Sequence, residues 1–279
     1  MECADLSALL FLGGLTPRAF GGSNVASGRD KSRPTKALTG QRTPKFVMMK
    51  TVGIVGGIAP ESTIEYYRQI IEAYRAHSSA GNYPSILINS INLTRMIELI
   101  TANELAAMTE YLLAALDKLA RAEADFAVLA SNTPHIVFDE VRARSALPLI
   151  SIVEAACAEA GMLGLKRIGL LGTRFTMQAG FYRDVFARAG IEIVLPNEAE
   201  QDYIHSHYMD ELINGIFLPE TRQRLLEIVE QLKERSQIEG IILGGTELPL
   251  ILRDEEHNGV PFLDTTKIHV KRIVEELVA

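Results

Sequence analysis

The sequence predicts an α/β fold of two similar, doubly wound parallel-sheet lobes facing a central cleft. Two observations carry the prediction. From Lys50 onward short apolar runs alternate with helical periods, and the pattern occurs twice. Runs of four to seven residues at Thr51–Gly56, Ser85–Ile91, Phe126–Ala130, Arg167–Gly172 and Gly240–Leu243 suit strands of a parallel sheet covered on both faces. Between them, Ile64, Tyr67, Ile71 and Tyr74 make one helical stripe. Leu225, Ile228, Val229 and Leu232 make another, begun by Pro219 at a favoured helix start. Strands alternating with helices imply right-handed crossovers.

The duplication is explicit. Lys50-Thr51-Val52-Gly53-Ile54-Val55-Gly56 is echoed 116 residues later by Lys166-Arg167-Ile168-Gly169-Leu170-Leu171-Gly172. A Tyr-Arg pair follows each, Tyr67-Arg68 and Tyr182-Arg183. Ala130-Ser131-Asn132-Thr133 is echoed 114 positions on by Gly244-Gly245-Thr246-Glu247. Each echo leads to a Pro-led strand, at Pro148–Ser151 and Pro261–Asp264. The expected organisation is a first lobe of residues 49–147 plus 255–279 and a second of 148–254.

Residues 1–48 read differently. The first 47 carry seven basic and three acidic residues, or +4, which leaves −11 for the remainder of a chain whose net charge is −7. Segment 21–45 is polar, without apolar period, and reads as disorder. Glu2 and Asp5 precede the short apolar stretch 6–15, where a secretory signal would carry positive charge. The expectation is a disordered or mis-assigned extension with Met48 or Met49 as the functional start; an organellar transit peptide is the alternative.

The acidic balance argues against a nucleic-acid partner. No apolar run approaches the ~20 residues that span a bilayer, so no membrane partner is expected. The two cysteines, Cys3 and Cys157, lie far apart and form no disulfide framework, which suits a reducing cytoplasm. His205 and His207 lack a third ligand and read as a solvated helix face, so no metal is expected.

Ligands of open α/β sheets bind beyond the carboxyl ends of the strands. Ser131-Asn132-Thr133 and Gly245-Thr246-Glu247 each follow a strand and precede a helix, so pseudo-symmetry sets them face to face across the cleft. The loop Gly56–Thr63 fits neither the dinucleotide nor the Walker pattern, because Pro60 and Glu61 stand where Gly and Lys are required. It reads as a small-carboxylate site or a structural turn. Thr173 and Thr176 mirror it in the second lobe, contacting ligand or capping the next helix.

With Gly53-Ile54-Val55-Gly56-Gly57, Ser131-Asn132-Thr133-Pro134-His135 and Leu243-Gly244-Gly245-Thr246-Glu247-Leu248-Pro249 in this order, the chain from about Lys50 to Ala279 resembles the aspartate/glutamate racemases. The resemblance implies a PLP-independent isomerase of amino acid metabolism, without cofactor or metal, assembling as a homodimer. Its enzymes use two cysteines, one on each face of the substrate. Inversion at an α-carbon needs a base on one face and an acid on the other, and thiols tune into that range. Here the equivalent positions are Ser131 and Gly245, so the two-thiol mechanism is not available.

Two readings follow. One is an enzyme of racemase type acting on a small amino acid or carboxylate, with Ser131, His135 and Glu247 as the acid/base groups. In it His135 serves Ser131, and Glu247 with Thr246 serves the opposite face through a water in the space left by Gly245. The other is an inactive homologue that binds a small amino acid or dicarboxylate, in which His135 and Glu247 only fix their loops. A one-sided decarboxylase like the arylmalonate enzymes is disfavoured, since those keep one cysteine. The resemblance further implies that Asn132, Thr133 and Thr246 hold the α-carboxylate and that Arg95 pairs with a substrate carboxylate. Ile213 and Asn214 stand where aspartate racemases can carry a lysine. Cys157 matches neither catalytic position and reads as packing.

Overall fold

A computed structural model of the chain describes residues 50–77 and 82–279; the expectations for residues 1–48 lie outside them. In chain order the elements are β1 (Thr51–Gly56), α1 (Pro60–His77), β2 (Ser85–Ser90), α2 (Leu93–Thr101), α3 (Leu105–Arg121), β3 (Phe126–Leu129), α4 (Phe138–Arg144), β4 (Leu149–Ile150), α5 (Ile152–Met162) and β5 (Arg167–Leu171). Then follow α6 (Arg174–Gln178), α7 (Phe181–Arg188), β6 (Glu192–Val194), α8 (Glu198–Asp210), α9 (Pro219–Ser236), β7 (Gly240–Leu243), α10 (Leu248–Ile251), β8 (Glu256–His257), β9 (Val260–Asp264) and α11 (Thr265–Val278). Two 3-10 turns, Thr133–Val137 and Leu212–Asn214, sit beside the cleft loops.

The duplication is reproduced in the topology. One sheet runs β2-β1-β3-β4 and the other β6-β5-β7-β9, all parallel, with β8 added antiparallel at the second sheet's edge. In both, the order reverses direction beside the first strand, so β1/β3 and β5/β7 are the switch points where ligands bind. Gly53 and Gly169, 116 residues apart, serve the same end. A Cβ at Gly53 would meet Leu119 at 3.1 Å, and one at Gly169 would meet Leu232 at 2.8 Å. Only glycine lets the covering helices approach so closely.

The seams between lobes differ from the expected ones. β4 bonds to β3, so Leu149-Ile150 complete the first sheet rather than open the second lobe. β9 bonds to β7, so residues 260–264 belong to the second sheet. The helix after each strand crosses over. α5 packs its Ile152, Val153 and Ala156 into the second lobe's core, while α11 places Val270, Ile273 and Val274 against β1 and β3 with Tyr66 and Ile70. α5 and α11 also pack on each other. We propose lobe boundaries at Ser151 and Asp264, where strand gives way to crossing helix.

The α1 stripe is rotated from its expected setting. Ser62, Thr63, Tyr66, Ile70 and Tyr74 are buried, whereas Ile64 and Tyr67 are 61% and 48% exposed. The first turn sets this rotation. Thr63 Oγ1 accepts the Gly57 amide at 2.7 Å, and Ser62 Oγ donates to the Ala59 carbonyl at 2.8 Å, pinning these two hydroxyls inward. Tyr66, not Tyr67, is therefore the buried counterpart of Tyr182 in the duplication, 116 positions on. The α9 stripe is buried as expected, and Pro219 occupies its first turn.

Candidate functional site

The loops after β1, β3, β5 and β7 all reach one cavity of about 50 Å³. Ala59 comes from the first loop, Ser131 and Thr133 from the second, Thr173 from the third and Glu247 from the fourth, joined by Tyr208 of α8. The cores of β1, β3, β5 and β7 are apolar, so chemistry collects where these strands end. A larger groove of about 760 Å³ between α1 and α11 holds none of the candidate residues, and its Arg68, Lys267 and Lys271 are paired with Glu65, Glu255 and Glu159.

Glu247 is the cavity's buried carboxyl. Its Oε2 accepts a hydrogen bond from Tyr208 Oη and another, at 3.0 Å, from Thr246 Oγ1. Its Oε1 is buried without a hydrogen-bond partner. Burial raises its pKa above the ordinary carboxylate value, and the bonds from Tyr208 and Thr246 offset part of that rise. Tyr208 is held protonated, first by burial and then by the neighbouring Glu247 charge.

Tyr208 went unread in the sequence, yet it fills the space opposite Gly245. A Cβ on residue 245 would lie 2.6 Å from Tyr208 Oη and 2.8 Å from its Cζ. The expected water-filled space is thus occupied by an aromatic ring, and Gly245 lines no ligand surface. Only the glycine itself signalled this, since a missing side chain at a buried loop implies something else packed there. Gly245→Cys is expected to lower stability by about 1–3 kcal/mol by overpacking. Adding Tyr208→Ala to that variant should cost less than the two single changes combined, by about 0.5–3 kcal/mol in a denaturant-unfolding cycle; strict additivity would show that the ring and residue 245 do not compete.

Three threonines bring the lobes together. Thr133 Oγ1 lies 3.3 Å from Thr173 Oγ1 and 3.2 Å from Thr176 Oγ1, and the latter two are 3.2 Å apart. Thr173 also caps α6 by accepting the Thr176 amide.

The remaining expected residues are placed elsewhere. His135 is buried with Nδ1 donating to the Ser131 carbonyl at 3.1 Å and Nε2 accepting the Ile152 amide at 3.4 Å, and its ring stacks on Phe138. With both nitrogens committed to backbone, and burial pushing its pKa down to about 3, it does not reach the Ser131 hydroxyl as a base. The Pro134-containing turn is 3-10 rather than α-helical, which aims the ring at the carbonyl. Asn132 is turned between the lobes, donating to Thr265 Oγ1 at 3.2 Å and accepting from Tyr182 Oη at 2.6 Å, so its side chain is not free for a carboxylate. Arg95 stands on the outer face of α2, 52% exposed and paired with Glu98 at 3.2 Å. The Asn92 cap and the buried Met96 and Leu99 fix that orientation. Thr246 touches Glu247 rather than the cavity. Cys157 is buried, 3.9 Å from the Val185 carbonyl.

Comparison with known proteins agrees with this architecture. The Asp/Glu/hydantoin racemase family description matches residues 55–273. The broad-specificity amino-acid racemase RacX of Bacillus subtilis strain 168 is 25% identical over 233 residues, covering 82% of this chain and 98% of its own. An aspartate racemase homologue from Pyrococcus horikoshii OT3 superposes with a TM-score of 0.70 at 34% identity, covering 83% of this chain and all of its own. The aspartate racemase of Picrophilus torridus shares the fold at a TM-score of 0.67 and 20% identity, over 82% of this chain and 94% of its own. Matched over most of its length and in both lobes, the chain belongs to the Asp/Glu/hydantoin racemase family.

Proposed function

We infer that the protein is an amino-acid racemase-type enzyme that moves the α-proton of a small amino acid between Glu247 and Ser131, from loops of opposite lobes. The observation that carries this reading is the Glu247 carboxyl, buried in the cavity wall with one oxygen bonded by Tyr208 and Thr246 and the other buried without such a bond. In one direction the Cα–H bond breaks, its proton passes to Glu247, and the electron pair is delocalised into the substrate carboxyl. A proton from the Ser131 side then forms the new Cα–H bond on the other face, after which solvent returns a proton to Ser131 and takes the one held by Glu247. A carboxyl whose pKa is raised by burial is better matched to such a transfer than an ordinary one. Tyr208 positions Glu247 by fixing Oε2, and the Thr133 and Thr173 hydroxyls at the cavity wall offer donors to the α-carboxylate, with Thr176 behind them. His135 supports this by holding the Ser131 carbonyl, not by accepting a proton. The assembly is proposed to be a homodimer without PLP, as the family resemblance implies.

Chiral chromatography of single enantiomers incubated with the protein tests the reading. Inversion is expected, and Ser131→Ala should slow it by at least about 10²-fold. Inversion unaffected by Ser131→Ala would contradict the assignment. Ligands that raise the melting temperature without inversion would instead establish a binding protein.

A further inference from the structure

The cavity's polarity divides by element. Its hydroxyls and carboxyl come from the strand-end loops and α8, whereas Leu93, Met96 and Ile97 of α2 contribute only apolar surface. Met209 and Ile213 continue that surface from the second lobe. Among the described residues, no lysine, arginine or histidine lines the cavity, and the ionisable groups that do are Glu247 and Tyr208. Arg95, next in sequence to Met96, is turned outward onto Glu98.

From this we propose that the site takes amino acids with short, neutral, apolar side chains, such as alanine, 2-aminobutyrate and valine, and rejects aspartate and glutamate. The proposal rests on the racemase-type reading of the same cavity. A second carboxylate would be desolvated against the α2 surface with no cation to pair it, and it would share the cavity with Glu247. An ammonium group, by contrast, would be drawn to the Glu247 carboxyl at the cavity wall.

Titration calorimetry with alanine, 2-aminobutyrate, valine, aspartate and glutamate tests binding independently of catalysis. The three apolar amino acids are expected to bind at least about 10²-fold more tightly than the two acidic ones. Ile97, half-buried at the cavity wall, gives a second arm. Ile97→Lys supplies the missing cation on a side chain whose stem can lie along apolar surface. It should strengthen aspartate binding by about 10-fold or more while weakening valine. Equal or tighter binding of aspartate or glutamate by the unaltered protein would overturn the proposal, as would no binding of any amino acid. Tight alanine binding without inversion would leave the specificity standing while the catalytic reading fails. Inversion confined to the acidic substrates would do the reverse.

Discussion

Glu247→Gln is expected to slow α-proton transfer by about 10²–10⁴-fold, the usual contribution of a positioned acid/base group, with no loss of stability. The carboxamide is nearly isosteric and keeps an oxygen to accept from Tyr208 and Thr246, so the loop should hold its shape. Burying a neutral amide also costs less than burying a carboxylate, so the melting temperature should stay level or rise. Falling rate with unchanged or rising melting temperature distinguishes a catalytic carboxyl from one that merely fixes its loop. A variant that melts lower and inverts at the original rate would assign Glu247 a structural role only. Tyr208→Phe should act in the same direction but less, because it removes one of the two bonds that hold Oε2.

Acidification should unfold the protein through two buried histidines. Burial pushes His135 down to about 3 and His269 down to about 4, from an ordinary value near 6.5. Both are therefore neutral when folded at pH 5, while in the unfolded chain both take up protons as the pH falls below about 6.5. The stability they allow is fully present above that value and lost as the pH falls toward their folded values. At about 1.4 kcal/mol per pH unit for each histidine, the two together should remove about 4 kcal/mol between pH 7.5 and 5. Glu247 and Asp264, whose pKa values burial raises, oppose this trend over the acid range. His269→Gln isolates the effect. Its amide can donate to the Ile150 carbonyl and accept from Tyr66 Oη, replacing the bonds His269 makes at 3.1 and 2.8 Å. Urea unfolding of this variant should show a stability–pH slope shallower by about 1.4 kcal/mol per unit between pH 6 and 4.5; an unchanged slope would mean that His269 is charged in the fold.

Much of the architecture could be read because it is written locally. Each strand core appears as an apolar run, and the repeated Gly53 and Gly169 mark the two lobes before any contact is known. The candidate loops were legible for the same reason, since parallel strands deliver polar groups only where they end. What escaped reading depends on neighbours distant in sequence. Tyr208 stands 39 residues before Glu247, on a helix with no marked apolar face, and its place is defined by the side chain that Gly245 lacks. The α1 rotation is set by hydroxyls in its first turn, which an apolar period ignores, so the period picks out Tyr67 where the fold buries Tyr66. His135 and Asn132 carry reactive groups at suggestive positions, but the fold uses them to tie loops together across the lobes. Arg95 belongs to a helix whose cap and buried face turn it outward, a matter of register that the motif around it does not record.

The central claim is proton transfer without thiols, and proton NMR in D₂O of a Cys3→Ser/Cys157→Ala variant with L- and D-alanine tests it most directly. The account predicts loss of the α-proton signal from both enantiomers at the rate of the unaltered protein, and its near abolition when Glu247→Gln is added. An α-proton signal that persists with every amino acid tried, or that is lost only while a cysteine remains, would contradict it.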